Sequence, residues 1–247
     1  MGRIYSNSFL HFTSSYENLT SILTQGFKVF YCKEEIYSSA RQIRHIGIPM
    51  VSFCDIPLAH ISENNYGKYC IGMSRSWGIS HLLQPVLYYP NNKECQSTKM
   101  IINASDSFLN NPNDTDRYRI LGYAKPLYKI QKGAENDDKN LDNYKEREWR
   151  KVYASKGPQK WKTEDEYAIY RGDPSLPKHQ VGSPLKFDAI DVDFIIIQER
   201  DRENIINFLM RGQVDYIGGK ENVKAQMIDR EILLSKVITF ESLSNNI

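Results

Sequence analysis

The sequence predicts one α+β domain, and three observations carry that reading. Stretches with apolar residues at alternate positions, as from Ser8 to Thr13, are interleaved with short stretches that open on helix-capping residues. No internal repeat, low-complexity tract or clear linker divides the 247 residues. That length supports a sizeable core, in one large domain or two small ones. A single domain over 1–247, with a mixed sheet and peripheral helices, is the economical choice.

The elements follow in order. Ser8 to Thr13 reads as a strand with Leu10 and Phe12 on its core face and Phe9, His11 and Thr13 on the other. Ser14 and Glu17 have capping-box spacing, so a helix opens there. Its apolar stripe is Tyr16, Leu19, Ile22 and Leu23, and Gly26 is placed to end it in a left-handed conformation. Phe27 to Cys32 looks extended. Residues 33–46 are polar and mixed in charge, which predicts a loop or a short surface helix. Ile48 to Cys54 is a strand despite Pro49. Asp55 then caps a helix running to about Asn64, with Pro57 in its first turn.

Tyr66 to Met73 returns as a strand, Ser74 to Leu83 as a short helix and Pro85 to Tyr89 as a strand. Residues 91–115 carry a helical insert around Met100, Ile101, Ile102, Phe108 and Leu109. Tyr118 to Ile130 is extended, and Gly133 to Asn143 is a polar loop. Tyr144 to Arg150 reads as a strand. Residues 155–185 hold Pro158, Pro174, Pro177 and Pro184, and predict a long loop of functional length. Phe194 to Ile197 is a buried strand. Asp201 to Met210 is a helix with Ile205, Ile206, Phe208 and Leu209 inward. One more helix falls near 221–229, and a last strand near 236–241.

Composition excludes several classes. The net charge of +2 argues against a generally basic nucleic-acid binder, so such contact needs a local patch. No run of 18 apolar residues spans a membrane, and Met1 to Asn7 lacks a signal-peptide core, which predicts a cytoplasmic protein. Cys32, Cys54, Cys70 and Cys95 are widely spaced and read as buried, reduced thiols. Neither they nor the five histidines show metal-ligand spacing.

Three constellations can carry chemistry. On the Tyr144 to Arg150 strand, Glu146, Glu148 and Arg150 share a face. Repulsion in a water-poor cleft raises the pKa of one carboxyl, while Arg150 holds the other ionised. Such a pair can stabilise a developing cation or take a proton from a nucleophile. A solvated edge strand of alternating charge is the plainer account. His11 and Thr13 leave the first strand together and can meet a ligand's hydroxyls or amide. Tyr66 and Tyr69, with Gly67 between them, are candidates for stacking on a flat ring; filling the core is an equal alternative. No Walker loop, GxGxxG or GxSxG is present.

The order of motifs resembles the abortive-infection AbiGi family of phage-resistance proteins. The likeness lies in His11-Phe12-Thr13, Glu17-Asn18-Leu19-Thr20-Ser21-Ile22-Leu23 with Gly26-Phe27, and Pro49 to Leu58. Tyr66 to Met73 and Glu146-Arg147-Glu148-Trp149-Arg150 complete it, over roughly residues 8–200. The resemblance implies a place in a toxin–antitoxin system, on the antitoxin side, with a cognate protein partner.

The opening pattern is also similar to ADP-ribosyltransferases that modify DNA. That likeness implies an ADP-ribosyltransferase-like split antiparallel or mixed sheet, and NAD as substrate. His11 would hold its ribose, with Thr13 beside it as a further cofactor-binding residue, Tyr66 or Tyr69 would stack on nicotinamide, and Glu148 would drive transfer with Glu146 serving the acceptor. Here Asn64 and Asn65 stand where the family carries a His, and only Arg41 and Arg44 stand where the DNA-modifying proteins are Arg-rich. Two functions follow as expectations: transfer of ADP-ribose from NAD to a nucleic acid or protein, or non-catalytic binding of a toxin or nucleic acid.

Overall fold

The structure, a computed structural model, describes residues 6–37, 39, 43–63, 67–112, 118–128, 143–153, 160–173, 181–210 and 223–244. It is a mixed α+β fold whose chain gathers into two compact units. The first comprises Met1–Lys28, Ser52–Leu83 and Pro184–Ile247; the second comprises Val29–Val51 and Gln84–Ser183.

The first unit opens with β1 (Ser8–Thr13) and α1 (Tyr16–Gln25). The N-cap of α1 is Ser15, one residue later than the spacing of Ser14 and Glu17 predicts; its hydroxyl accepts the Asn18 N–H at 3.2 Å. Gly26 ends the helix at φ +81°, its N–H donating to the Ile22 carbonyl at 2.8 Å. β4 (Tyr69–Ser74) pairs antiparallel with β1, and β9 (Val192–Ile197) pairs antiparallel with β4. β10 (Val237–Thr239) runs parallel to β9, which makes the sheet mixed. Short α2 (Arg75–Ser80) packs closely on β1: a Cβ on Gly78 would fall 2.3 Å from the Phe9 ring. Phe9 is therefore as buried as Leu10, and β1 has two covered faces where the alternation predicts one. The other face holds Leu10, Ile56, Ile61, Cys70, Phe194 and Ile196.

Asp55 is not the predicted cap. Its carboxylate accepts the Ser6 N–H at 3.1 Å and Arg75 Nη1 at 3.0 Å, and the turn behind it is a 3-10 helix over Leu58–Glu63. The unit closes with α5 (Arg202–Met210), α6 (Val223–Ser235) and α7 (Phe240–Ser244). On α5 only Ile205 and Leu209 are buried; Ile206, expected inward, is exposed.

The second unit is built on a long hairpin. β2 (Phe30–Tyr37) pairs with β3 (Ile43–Cys54) from Phe30 opposite Met50 to Tyr37 opposite Ile43. The loop or surface helix expected over 33–46 is thus largely strand. Lys33, Glu34 and Glu35 hide it, because burial of Tyr31 and Ile36 and cross-strand bonding outweigh the polarity between them. β8 (Glu148–Val152) lies beside β3, and β5 (Gln84–Pro85) pairs with β8. β6 (Leu87–Tyr89) and β7 (Ala124–Pro126) form a parallel pair.

The insert helix α3 (Gln96–Asn110) buries Ile101, Ala104 and Phe108, while Met100, expected on its apolar stripe, is 63 % exposed. The core of the unit joins these to Ile36, Ile46, Ile48, Met50, Tyr89, Tyr118 and Trp161. The long loop expected over 155–185 is interrupted by α4 (Glu164–Gly172), opened by a full capping box of Thr163 and Glu166. The strand expected over Tyr144 to Arg150 is a 3-10 turn over Asn143–Glu146, then Arg147 at φ +44°, then β8. No described helix is long and apolar enough to cross a membrane.

Candidate functional site

Glu148 sits at the centre of an ion-pair network inside the second unit. On β8 its side chain shares a face with that of Arg150, because strand residues alternate. Both are buried, at 7 % and 0 % exposure. Arg150 Nε donates to Glu148 Oε1 at 2.8 Å and Nη2 donates to Oε2 at 2.9 Å. This two-pronged pairing is the strong geometry for guanidinium and carboxylate. Nη2 also donates to Oε2 of Glu34 on β2 at 3.0 Å, and Nη1 to the Gly122 carbonyl at 3.1 Å. From β7, Lys125 Nζ donates to Glu148 Oε2 at 3.1 Å and also to Glu146. The Tyr88 hydroxyl, from β6, accepts the Glu148 backbone N–H at 2.8 Å.

Three carboxylates thus meet two cations. Burial by itself would drive the Glu148 carboxyl up; Arg150, then Lys125, reverse this and hold it at about 2. Burial pulls Arg150 and Lys125 down, and the surrounding carboxylates bring both above their ordinary values. Glu34 moves the other way. Burial raises it, the Arg150 charge offsets part of that, and the Glu148 charge raises it further. Cys32 nearby is pushed up to about 12, chiefly by burial and then by Glu34, so its thiol is a poor nucleophile. The raised carboxyl expected within the Glu146 and Glu148 pair is therefore on Glu34, a different strand. Lys125 stands between the pair and takes up their repulsion.

A pocket of about 270 Å³ opens beside the network, with Lys33, Glu34, Glu35, His45, Lys125 and Asn143 in its lining. His45 Nδ1 donates to Glu164 Oε1 at 2.9 Å, and its Nε2 lies 3.9 Å from Glu35. Arg44 also pairs with Glu164, at 3.8 Å.

The other predicted site residues belong to the first unit. His11 Nδ1 donates to the Ser52 carbonyl at 2.9 Å, and its ring packs 5.0 Å from Phe27 and 5.4 Å from Phe53. Burial lowers its pKa and the Ser52 bond only partly offsets that, so the imidazole is neutral. Thr13 pairs with Tyr69 across β1 and β4. The Tyr69 hydroxyl donates to Asp201 Oδ2 at 2.6 Å and accepts from Gln198 Nε2 at 2.7 Å; the residue is 4 % exposed. Tyr66 lies outside the described residues. Of the four cysteines, all free, only Cys70 is fully buried.

Structure thus brings Glu146 and Glu148 together on one lysine and sets His11, Thr13 and Tyr69 together on two paired strands. The sequence reading missed Glu34, Lys125 and Tyr88. A signal for Glu34 was present: Cys32, Glu34 and Ile36 alternate on one strand face, and Ile36 is buried. Lys125 and Tyr88 had none, since only the packing of β6 and β7 brings them to β8.

These features define an α+β protein with a buried carboxylate–guanidinium network beside a polar pocket. The chain belongs to the family described as "Putative abortive phage resistance protein AbiGi, antitoxin", whose model matches residues 25–198. It is 25 % identical over 234 residues to an abortive phage resistance protein AbiGi from Lactococcus lactis subsp. cremoris, a match covering 81 % of this chain and 88 % of that protein. No solved structure matches. The network and the pocket lie within the residues that the family model matches, and β1 with His11 and Thr13 precedes them.

Proposed function

We propose that this chain acts in abortive phage resistance as an antitoxin, a protein that binds and restrains a cognate toxin, and that Glu148 turns over no substrate. The observation carrying this reading is that both oxygens of the buried Glu148 are already engaged within the protein. Both of its oxygens accept from Arg150, and Oε2 also accepts from Lys125. A transferase glutamate must hydrogen-bond a ribose hydroxyl and steady a developing cation, which needs a carboxylate open to a ligand rather than buried against two cations. The family description and the Lactococcus relative supply the setting in phage resistance.

Transfer of ADP-ribose from NAD to a nucleic acid or protein is the competing reading, and it rests on the order of His11, Tyr66 or Tyr69, and Glu148 along the chain. Three observations weigh against it. The His11 Nδ1 proton is committed to Ser52, the Tyr69 hydroxyl is committed to Asp201 and Gln198, and the Tyr69 ring is too buried to stack on nicotinamide.

The test has two halves. Purified protein and Glu148→Gln are incubated with millimolar NAD, and nicotinamide release is followed. No release from either is expected; release that Glu148→Gln abolishes would restore the transferase reading. The tagged chain is then recovered from phage-infected cells. A bound protein that halts growth when expressed alone, and not when co-expressed with the chain, is expected. A bound protein without effect on growth would overturn the antitoxin role.

A further inference from the structure

The pocket beside Glu34 has acceptors that nothing in the described structure satisfies. Glu34 Oε2 accepts from Arg150, but among the described residues Oε1 accepts from nothing. Asn143 is 2 % exposed. Its Nδ2 donates to the Pro126 carbonyl at 2.8 Å, which sets the amide orientation, and Oδ1 then has no donor among the described residues. Glu35 is 3.9 Å from His45 Nε2, beyond hydrogen-bond range. Lys125 is engaged with Glu146 and Glu148 and His45 Nδ1 with Glu164, while Lys33, also in the lining, has no partner among the described residues. Glu34, Glu35 and Asn143 all line the pocket, so a donor group bound there would meet acceptor capacity that the protein leaves over.

The charge of the wall says what kind of donor. Among the described residues Glu34, Glu146 and Glu148 pair with Arg150 and Lys125, and Glu35 and Lys33 also line the pocket, which leaves one carboxylate in excess. An anion would meet that excess; a cation would neutralise it. Two or three acceptors around one small space match a planar group with several N–H donors better than a single point charge. The volume of about 270 Å³ admits a guanidinium and its aliphatic stem.

We propose that this pocket binds a guanidinium group, with Glu34 Oε1 and Asn143 Oδ1 accepting its N–H groups and Glu35 facing its charge. The site stands whether or not the antitoxin reading holds. The guanidinium belongs to a free small molecule or to an arginine side chain of a bound protein, and the test separates these.

The full chain is titrated calorimetrically with agmatine, with a blocked Ala-Arg-Ala tripeptide, and with the tripeptide carrying citrulline, the neutral isostere of arginine. Both guanidines bind saturably, and the citrulline peptide binds at least about tenfold more weakly, having lost charge-assisted bonds. Glu35→Gln, which leaves the Arg150 network intact, weakens the arginine peptide several-fold. Glu34→Gln weakens it by about tenfold or more, judged on protein whose circular dichroism is native. Agmatine binding as tightly as the tripeptide points to a small ligand, and tighter tripeptide binding to a partner's arginine. Equal affinity for the citrulline peptide, no saturable binding of either guanidine, or unchanged affinity in the folded variants would overturn the proposal.

Discussion

Arg150 holds Glu148, two residues before it on the same strand, through both carboxylate oxygens, at 2.8 and 2.9 Å. A strand places such a pair on one face, and here that face is turned into the core of the second unit. The guanidinium is fully buried, so it depends on its partners as much as they depend on it.

Removing the arginine therefore costs more than the loss of one contact. Arg150→Met strands Glu148 and Glu34 in a dry site, and a loss of about 3–5 kcal/mol is expected in urea denaturation. Replacing all three by apolar residues of similar volume, Glu34→Leu, Glu148→Leu and Arg150→Met together, recovers most of that loss, because no charge is left uncompensated.

Glu148 makes stability depend on acid. Its folded pKa of about 2 lies below the ordinary 4.5. A carboxyl depressed in this way stabilises the fold above its unfolded value, and the contribution is lost as pH falls from about 4.5 through about 2. Glu34 has the opposite sign: its raised pKa favours the fold at low pH, and that contribution is lost as pH rises through its folded value. Urea midpoints measured across the acid range should fall with pH in the wild type and fall less steeply in Glu148→Gln.

The Tyr88 hydroxyl is the described acceptor of the Glu148 backbone N–H. Tyr88→Phe leaves that buried N–H unpaired at nearly constant volume, and a cost of about 1–3 kcal/mol is expected. Amide exchange at Glu148 should quicken more than exchange elsewhere in β8, which separates the lost bond from a general loosening.

Gly26 ends α1 at φ +81°, and a Cβ there would lie 2.5 Å from the Leu185 carbonyl oxygen. Gly26→Ala meets both the left-handed penalty and a backbone clash, and about 1–3 kcal/mol is expected from the strain alone. Thermal denaturation followed by circular dichroism reads it directly.

Much of the local structure was legible in the residues. Gly26 as a helix end, the insert helix around Ile101 and Phe108, and the strand ending in Phe194 to Ile197 follow from capping and periodicity. β2 was not legible, because its three consecutive charged residues outweigh the alternation around them in a local reading. α4 was hidden by prolines on either side, although Thr163 and Glu166 carry its capping box. For the site, Glu148 and Arg150 were paired correctly from spacing alone, since a two-residue step on a strand is a fact of covalent geometry.

By itself the sequence determined the alternation of strands and capped helices, the family and the pairing of Glu148 with Arg150. Each depends on residues near one another in the chain, or on the order of motifs along it. Only the tertiary structure decided what the pairing is for. Glu34 lies 116 residues from Arg150 and Lys125 lies 23 from Glu148. Their arrival turns a pair of carboxylates with apparent catalytic spacing into a buried ion-pair network beside an acceptor-lined pocket. Charge balance in a buried site is set by everything that packs around it, and that packing is written across distant parts of the chain.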